Sequence, residues 1–251
     1  MRPQFVLFGD SITARSFGDG GWGASLVQRY SRKADVVLRG YGGYNTRWAL
    51  FLLPHIFPLE SLKQPSVVTV FFGANDAALL GRSNERQHVP LTEYMANLHQ
   101  IITHLKKCSS SMLIMLITPP PVDEKGRKQY ARSLVLAHPR LLATYGENAV
   151  DLPERTNEVA GAYAKSCLEV ASEASIPVVD LWSRMQETPE WQHKYLSDGL
   201  HLTPDGNAIV FEEVLKILNA RGLNFSDIPD DFPHHSIIDA RDPQKAFHGR
   251  E

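Results

Sequence analysis

Apolar residues are concentrated in five short runs that are rich in β-branched side chains. Most of these runs are continuously apolar rather than strictly alternating, a pattern typical of strands covered on both faces. The runs predict five strands of a parallel sheet: Gln4–Gly9, Ala34–Arg39, Ser66–Gly73, Met112–Thr118 and Ile176–Leu181.

Between these runs, apolar residues recur three and four positions apart, which indicates amphipathic helices. We predict helices over Trp22–Arg32 and Thr92–Lys107, the second with Thr92 as its N-cap. A further helical face precedes the fifth strand and consists of Val159, Tyr163, Cys167 and Val170.

The last predicted helix has clear start and stop signals. Thr203 suits the N-cap, Pro204 suits the first helical position and Gly222 follows the end. Strands that alternate with helices imply right-handed crossovers. The sequence therefore predicts an α/β fold, with a doubly wound five-stranded parallel sheet between two layers of helices.

Three stretches depart from this alternation. Leu80–Pro90 is polar and predicts a loop, whereas Val122–Leu152 predicts an insertion that contains a short helix. The residues after Gly222 include Pro229, Pro233 and Pro243, so we expect no regular element there. We predict one domain over residues 1–222 and a tail over 223–251 that is not a separate domain.

The amino-acid composition narrows the possible classes of protein. The 251 residues are 43% hydrophobic, enough for one large core, and the net charge of -2 gives no indication of a nucleic-acid partner. No apolar stretch approaches the roughly 20 residues of a membrane span, so we expect no stable membrane insertion. With no evident signal peptide, we expect a cytoplasmic location. Two cysteines, Cys108 and Cys167, do not make a disulfide framework. The sequence gives no indication of the oligomeric state.

Polar, glycine-containing segments follow three of the predicted strands, at the sheet edge where open α/β folds bind ligands. They are Gly9–Ser11, Gly40–Thr46 and Gly73–Asp76, and Ser197–His201 precedes the last helix. Taken singly, each segment has an ordinary structural interpretation, as a helix cap, a turn or a surface histidine.

Together, these segments contain the groups that acyl transfer requires. Ser11 can act as nucleophile and His201 as base, while Asp198 lies three residues before His201 and can orient its ring. The backbone N–H groups of Ser11 and Gly43, with the Asn75 side-chain amide, can form an oxyanion hole.

Two other acids compete with Asp198 for the orienting role. Asp10 adjoins the nucleophile, so its side chain is expected to point away, whereas Asp180 ends the fifth predicted strand and could reach a base. We favour Asp198 because its spacing alone brings it to His201. The remaining histidines show no metal-ligand spacing, so we expect no metal.

The chain resembles the SGNH (GDSL-type) hydrolases in four blocks that occur in the family's order. Gly9–Thr13 resembles the first block and Gly43 stands at the second block's glycine, although Gly42 replaces a frequent serine. Gly73–Asp76 and Asp198–His201 resemble the third and fourth blocks.

The most similar branch is that of the isoamyl acetate-hydrolysing esterases, through Phe8–Ser16, Arg39–Ala49 and Leu196–Asp205. The resemblance implies a flavodoxin-like sheet, an ester or thioester substrate and no cofactor. It implies a serine esterase that acts on a small-molecule ester through an acyl-enzyme.

Several alternatives remain for the substrate and the class. Short-chain esters are favoured over lipid esters, acetylated sugars and acyl-CoA thioesters. The aromatic residues Tyr44, Trp48 and Phe51 either line a substrate pocket or belong to the core. A non-catalytic binding or scaffold protein on the same fold is the alternative from a different class. A receiver-like module is disfavoured because Trp182–Arg184, rather than a lysine, follows the fifth strand.

Overall fold

The computed structural model describes residues 2–247 and contains one parallel sheet. The strands run in the order β2-β1-β3-β4-β5, which is the flavodoxin-like order of a doubly wound sheet. This confirms the predicted fold class. The strands are β1 Gln4–Gly9, β2 Asp35–Gly40, β3 Val67–Phe71, β4 Leu113–Ile117 and β5 Val178–Val179.

Helices cover both faces of the sheet. They are α1 Ser11–Ala14, α2 Trp22–Arg29, α3 Thr46–Ile56, α4 Leu91–Cys108, α5 Glu124–Ala137, α6 Arg140–Tyr145, α7 Asn157–Ala174, α8 Leu181–Gln186, α9 Trp191–Tyr195 and α10 Pro204–Ala220. Alternate side chains of β1 enter separate cores, as the two-residue period of a strand requires. Phe5 and Leu7 pack with α2, α8 and α10, whereas Val6 and Phe8 pack with α3, α4 and α7.

Several predicted element boundaries differ from the structure, and α2 ends at Arg29 rather than at Arg32. The fifth strand pairs only at Val178–Val179, because Pro177 before it has no N–H and Asp180 after it caps α8 by accepting the Ser183 N–H at 3.1 Å. Helix α4 begins before Thr92, since the Pro90 carbonyl already accepts the Tyr94 N–H at 2.9 Å.

Helical structure is more extensive than the sequence predicted. Helix α3 was not assigned from the sequence, although the Asn45 side chain caps it by accepting the Trp48 N–H at 2.9 Å. The Val122–Leu152 insertion contains the 14-residue helix α5, capped by Asp123, as well as α6. Thr203 does cap α10, where its hydroxyl accepts the Gly206 N–H at 3.2 Å.

The tail from residue 223 to 247 has only short 3-10 helices and contacts the chain before β1 and the segment between α2 and β2. Arg2 Nε donates to Asp231 at 2.9 Å, and Lys33 Nζ donates to the Ile228 carbonyl at 2.6 Å. Residues 248–251 lie outside the described residues. The division into a domain and a tail stays a prediction. Within residues 2–247, no helix is both long enough and apolar enough to cross a membrane.

Candidate active site

The turn after β1 presents Ser11 at the sheet edge. Gly9 lies so close to β3 that a Cβ there would come within 2.6 Å of the Phe71 carbonyl oxygen, which explains the glycine. Asp10, not Ser11, caps helix α1, because its carboxylate accepts the Ile12 N–H at 2.9 Å. Asp10 is completely buried, so its side chain points away from the cleft that contains Ser11.

Ser11, His201 and Asp198 form a continuous hydrogen-bonded chain. His201 Nε2 lies 2.9 Å from Ser11 Oγ, and His201 Nδ1 lies 2.7 Å from Asp198 Oδ2. The other carboxylate oxygen of Asp198 accepts the backbone N–H groups of Leu200 and His201, at 3.1 and 2.9 Å. One carboxylate therefore fixes both the fold of the loop and the orientation of the imidazole.

Asp198 is held ionised by its surroundings. Burial acts to raise its pKa, but the hydrogen bonds and charge of His201, with a smaller contribution from Arg127, outweigh burial and hold the pKa well below its usual range. A charged carboxylate on Nδ1 favours the tautomer with a free Nε2 lone pair and stabilises the imidazolium. Asp180 is engaged as the cap of α8.

The three predicted oxyanion-hole residues, Ser11, Gly43 and Asn75, line one cleft of about 250 Å³ together with His201. Gly43 has a φ of +80°, in the left-handed region that favours glycine. The Asn75 Nδ2 donates to the Tyr44 carbonyl at 2.8 Å, which leaves its second N–H free to face the cleft. At Gly42, a Cβ would meet only the Ser11 Cβ, at 4.0 Å, so the departure from serine there is sterically neutral.

The tyrosine and tryptophan predicted as pocket residues lie beside this cleft. Tyr44 and Trp48 are half-buried and contact each other edge-on, with ring centroids 5.8 Å apart. With Leu52, Arg86 and Phe51, they line a separate, largely apolar cleft of about 340 Å³. Phe51 is 72% exposed and is therefore not a core residue.

Sequence analysis missed several polar residues at the site, among them Gln87, Arg127, Glu154 and Arg155. The two arginines and Glu154 are buried and share hydrogen bonds, and Arg155 also donates to Asn75 and Gln87. No local pattern distinguishes this Glu-Arg pair from a solvated one. Over the part of the chain that the structure describes, no group of three His, Cys, Asp or Glu side chains is arranged to hold a metal ion.

Ser11 follows the first strand, and it lies with His201 and Asp198 at the carboxyl end of a flavodoxin-like sheet. This arrangement is typical of a serine hydrolase, and it is distinct from the Gly-x-Ser-x-Gly elbow of the α/β-hydrolases. Residues 5–214 match the family model described as GDSL-like Lipase/Acylhydrolase. The chain belongs to this family and is a carboxylic ester hydrolase.

Curated relatives and solved structures agree with this assignment. A GDSL esterase/lipase of Arabidopsis thaliana is 60% identical over 100% of this chain and 99% of its own. The human isoamyl acetate-hydrolyzing esterase 1 homolog is 39% identical over 98% of this chain and 92% of its own. The crystal structure of a lipase/acylhydrolase from Enterococcus faecalis aligns with a TM-score of 0.63 at 25% identity, over 88% of this chain and 97% of that one.

Proposed function

We propose that this esterase acts through a covalent acyl-enzyme on Ser11. The observation that carries the proposal is the 2.9 Å contact between Ser11 Oγ and His201 Nε2, with Asp198 on the far side of the ring. As Oγ attacks the ester carbonyl carbon, His201 takes the hydroxyl proton. It then gives that proton to the departing alcohol oxygen as the tetrahedral intermediate collapses.

The second half-reaction uses the same groups. Water attacks the acyl carbon, His201 accepts a proton from that water and returns it to Ser11 Oγ, and the carboxylic acid leaves. In both steps the carbonyl oxygen becomes negatively charged. The Ser11 and Gly43 N–H groups and the Asn75 amide are the donors that we assign to it.

The substrate that this site supports best is a small ester with a short acyl chain. Gly43 lines the cleft at Ser11, and the next residue, Tyr44, lines the apolar cleft together with Trp48. An acyl chain can therefore extend from the oxyanion hole towards the apolar cleft. A relative is named for isoamyl acetate hydrolysis, which supports the same class. A solved mutant of an acetyl-xylooligosaccharide esterase from Geobacillus Stearmophilus aligns with a TM-score of 0.60 at 20% identity, over 86% of this chain and 94% of its own. A likeness at this identity supports the fold alone and not an acetylated-sugar substrate.

Labelling and mutation at Ser11 test the proposal. An organophosphonate ester is expected to modify the protein once, at Ser11, and to abolish hydrolysis of p-nitrophenyl acetate. Ser11→Ala should be inactive and unlabelled. Ser25→Ala, on helix α2 and away from the cleft, is the matched control and should behave as wild type. A label on another residue, or turnover by Ser11→Ala, would contradict the mechanism.

The cytoplasmic location and the absence of a nucleic-acid partner stay predictions of the sequence. Imaging of a full-length fluorescent fusion tests the first, and electrophoretic mobility shift with single- and double-stranded DNA tests the second.

A further inference from the structure

A buried cluster of three charged side chains lies beneath the cleft. We call Arg127, Glu154 and Arg155 the buried arginine cluster; each side chain is 2% exposed. Glu154 Oε1 accepts from Arg127 Nε and from Arg155 Nη1, both at 2.8 Å. Charges are costly to bury even when they are paired, so a cluster of this kind gives weak evidence of a purely stabilising role.

Arg155 contacts the oxyanion-hole segments directly. Its Nε donates to the Ala74 carbonyl at 2.6 Å, and its Nη2 donates to Asn75 Oδ1 at 3.0 Å and to Gln87 Oε1 at 2.7 Å. Gln87 Nε2 in turn donates to the Gly43 carbonyl at 3.1 Å. One guanidinium therefore ties together the two segments that carry Asn75 and Gly43.

These contacts determine which way the Asn75 amide faces. A side-chain amide is nearly symmetric in shape, but the rotated form would direct its oxygen at the substrate oxygen. Arg155 can only donate hydrogen bonds, so it requires Oδ1 on its own side. The Tyr44 carbonyl takes one Nδ2 hydrogen, which leaves the other free to face the cleft that Asn75 lines. The adjacent positive charge also polarises the amide and makes it a stronger donor.

We propose that Arg155 is a positioning residue of the oxyanion hole, which acts by orienting the Asn75 amide. This inference rests on the proposed function, because it requires Asn75 to donate to the oxyanion. Glu154 holds Arg155 in place. Through Arg127, which lies 3.3 Å from Asp198 Oδ1, the same carboxylate also connects the oxyanion hole with the catalytic aspartate.

A double-mutant cycle separates positioning from mere structural support. Removal of one oxyanion donor costs about 10²–10³ in kcat, so Asn75→Ala should lose this much. Arg155→Met should lower kcat by about 10–100-fold, with KM changed by less than about threefold, because the missing orientation matters most in the transition state. In the Asn75→Ala background, Arg155→Met should lower kcat by less than about threefold more, since the two residues act as one unit.

The same cycle is run with Arg155→Lys, which keeps a positive charge beside Glu154 but lacks the planar fork that reaches Ala74, Asn75 and Gln87 together. It should fold more readily than Arg155→Met and still lose kcat only when Asn75 is present. Arg47→Met is the control, because Arg47 pairs with Glu93 at 2.6 Å outside the cluster and should leave kcat unchanged.

Each kcat is measured against the titre of phosphonate-reactive serine, alongside a melting curve of the same preparation. A loss that is equal in both Asn75 backgrounds, or a wild-type kcat in Asn75→Ala, overturns the positioning role even when Ser11 is labelled. If Ser11→Ala retains activity, the proposed mechanism itself fails. These two failures are therefore distinguished by separate variants.

Discussion

Asp10 is expected to make the stability of this protein fall as the pH rises towards neutrality. Its carboxyl is completely buried; Oδ1 accepts the Ile12 N–H, while Oδ2 has no hydrogen-bond partner among the described residues. Burial raises the pKa of Asp10 to about 7 from an ordinary value of 3.8. The nearby charge of Asp76 raises the pKa further, whereas the Ile12 N–H and Arg155 oppose the rise.

The sign of the effect follows from proton binding. Between the ordinary pKa and pH 7, the folded protein holds a proton on Asp10 that the unfolded chain has released. The free energy of unfolding therefore decreases as pH rises through this window. Each pH unit is worth about 1.4 kcal/mol per proton, and Asp10 is already half deprotonated at its pKa of about 7. This one carboxyl therefore lowers stability by roughly 2 kcal/mol between pH 5 and pH 7.

The substitution Asp10→Asn isolates this contribution. Asparagine keeps an oxygen for the Ile12 N–H but carries no charge, so any fixed cost of its buried NH₂ is the same at every pH. Relative to wild type, the variant should gain about 2 kcal/mol between pH 5 and pH 7. Urea unfolding at pH 5, 6, 7 and 8 measures this difference, with the exposed Asp19→Asn as control. A difference between variant and wild type that is constant over this range would refute the reasoning.

Two further substitutions test the site itself. Asp198→Asn should lower kcat about 10⁴-fold while the protein stays folded, because an amide on Nδ1 favours the wrong imidazole tautomer. Steady-state kinetics with p-nitrophenyl acetate measures this loss of kcat, and a loss below tenfold would exclude Asp198 as the orienting acid. Trp48→Ala should raise the KM for p-nitrophenyl hexanoate about tenfold and leave the KM for the acetate ester unchanged. A tenfold change corresponds to the loss of roughly 55 Å² of apolar contact at about 25 cal/mol per Å². Equal changes for both esters would place the acyl chain elsewhere.

The sheet and the ends of its strands could be predicted from sequence because both leave local patterns. Continuous apolar runs mark strands covered on both faces, and a glycine marks a strand end with a close backbone approach, as at Gly9. The spacing from Asp198 to His201 brought those two side chains together without knowledge of the rest of the fold. The contact of His201 with Ser11, 190 residues away along the chain, follows from the sheet order instead.

Helix α3 and the buried arginine cluster were missed for different physical reasons. The segment Thr46–Ile56 contains Pro54, which is unfavourable inside a helix, so its sequence does not read as an uninterrupted helix. Glu154 and Arg155 are adjacent charged residues, a pattern common on exposed surfaces. Whether such a pair is buried depends on what packs over it, which a local pattern does not determine.

The insertion after β4 is part of the support for the candidate active site. Its helix α5 begins where the Asp123 N–H donates to the Gly199 carbonyl at 2.9 Å, and Arg127 Nη1 donates to the Asp198 carbonyl at 3.2 Å. The contact is close enough that a Cβ on Gly199 would come within 2.5 Å of the Asp123 carbonyl oxygen, and one on Gly126 within 2.9 Å of the Gly199 Cα. Two glycines therefore let α5 pack directly against the loop that carries Asp198 and His201. Since the same helix supplies Arg127 to Glu154, the loop and the oxyanion hole rest on one continuous set of buried contacts.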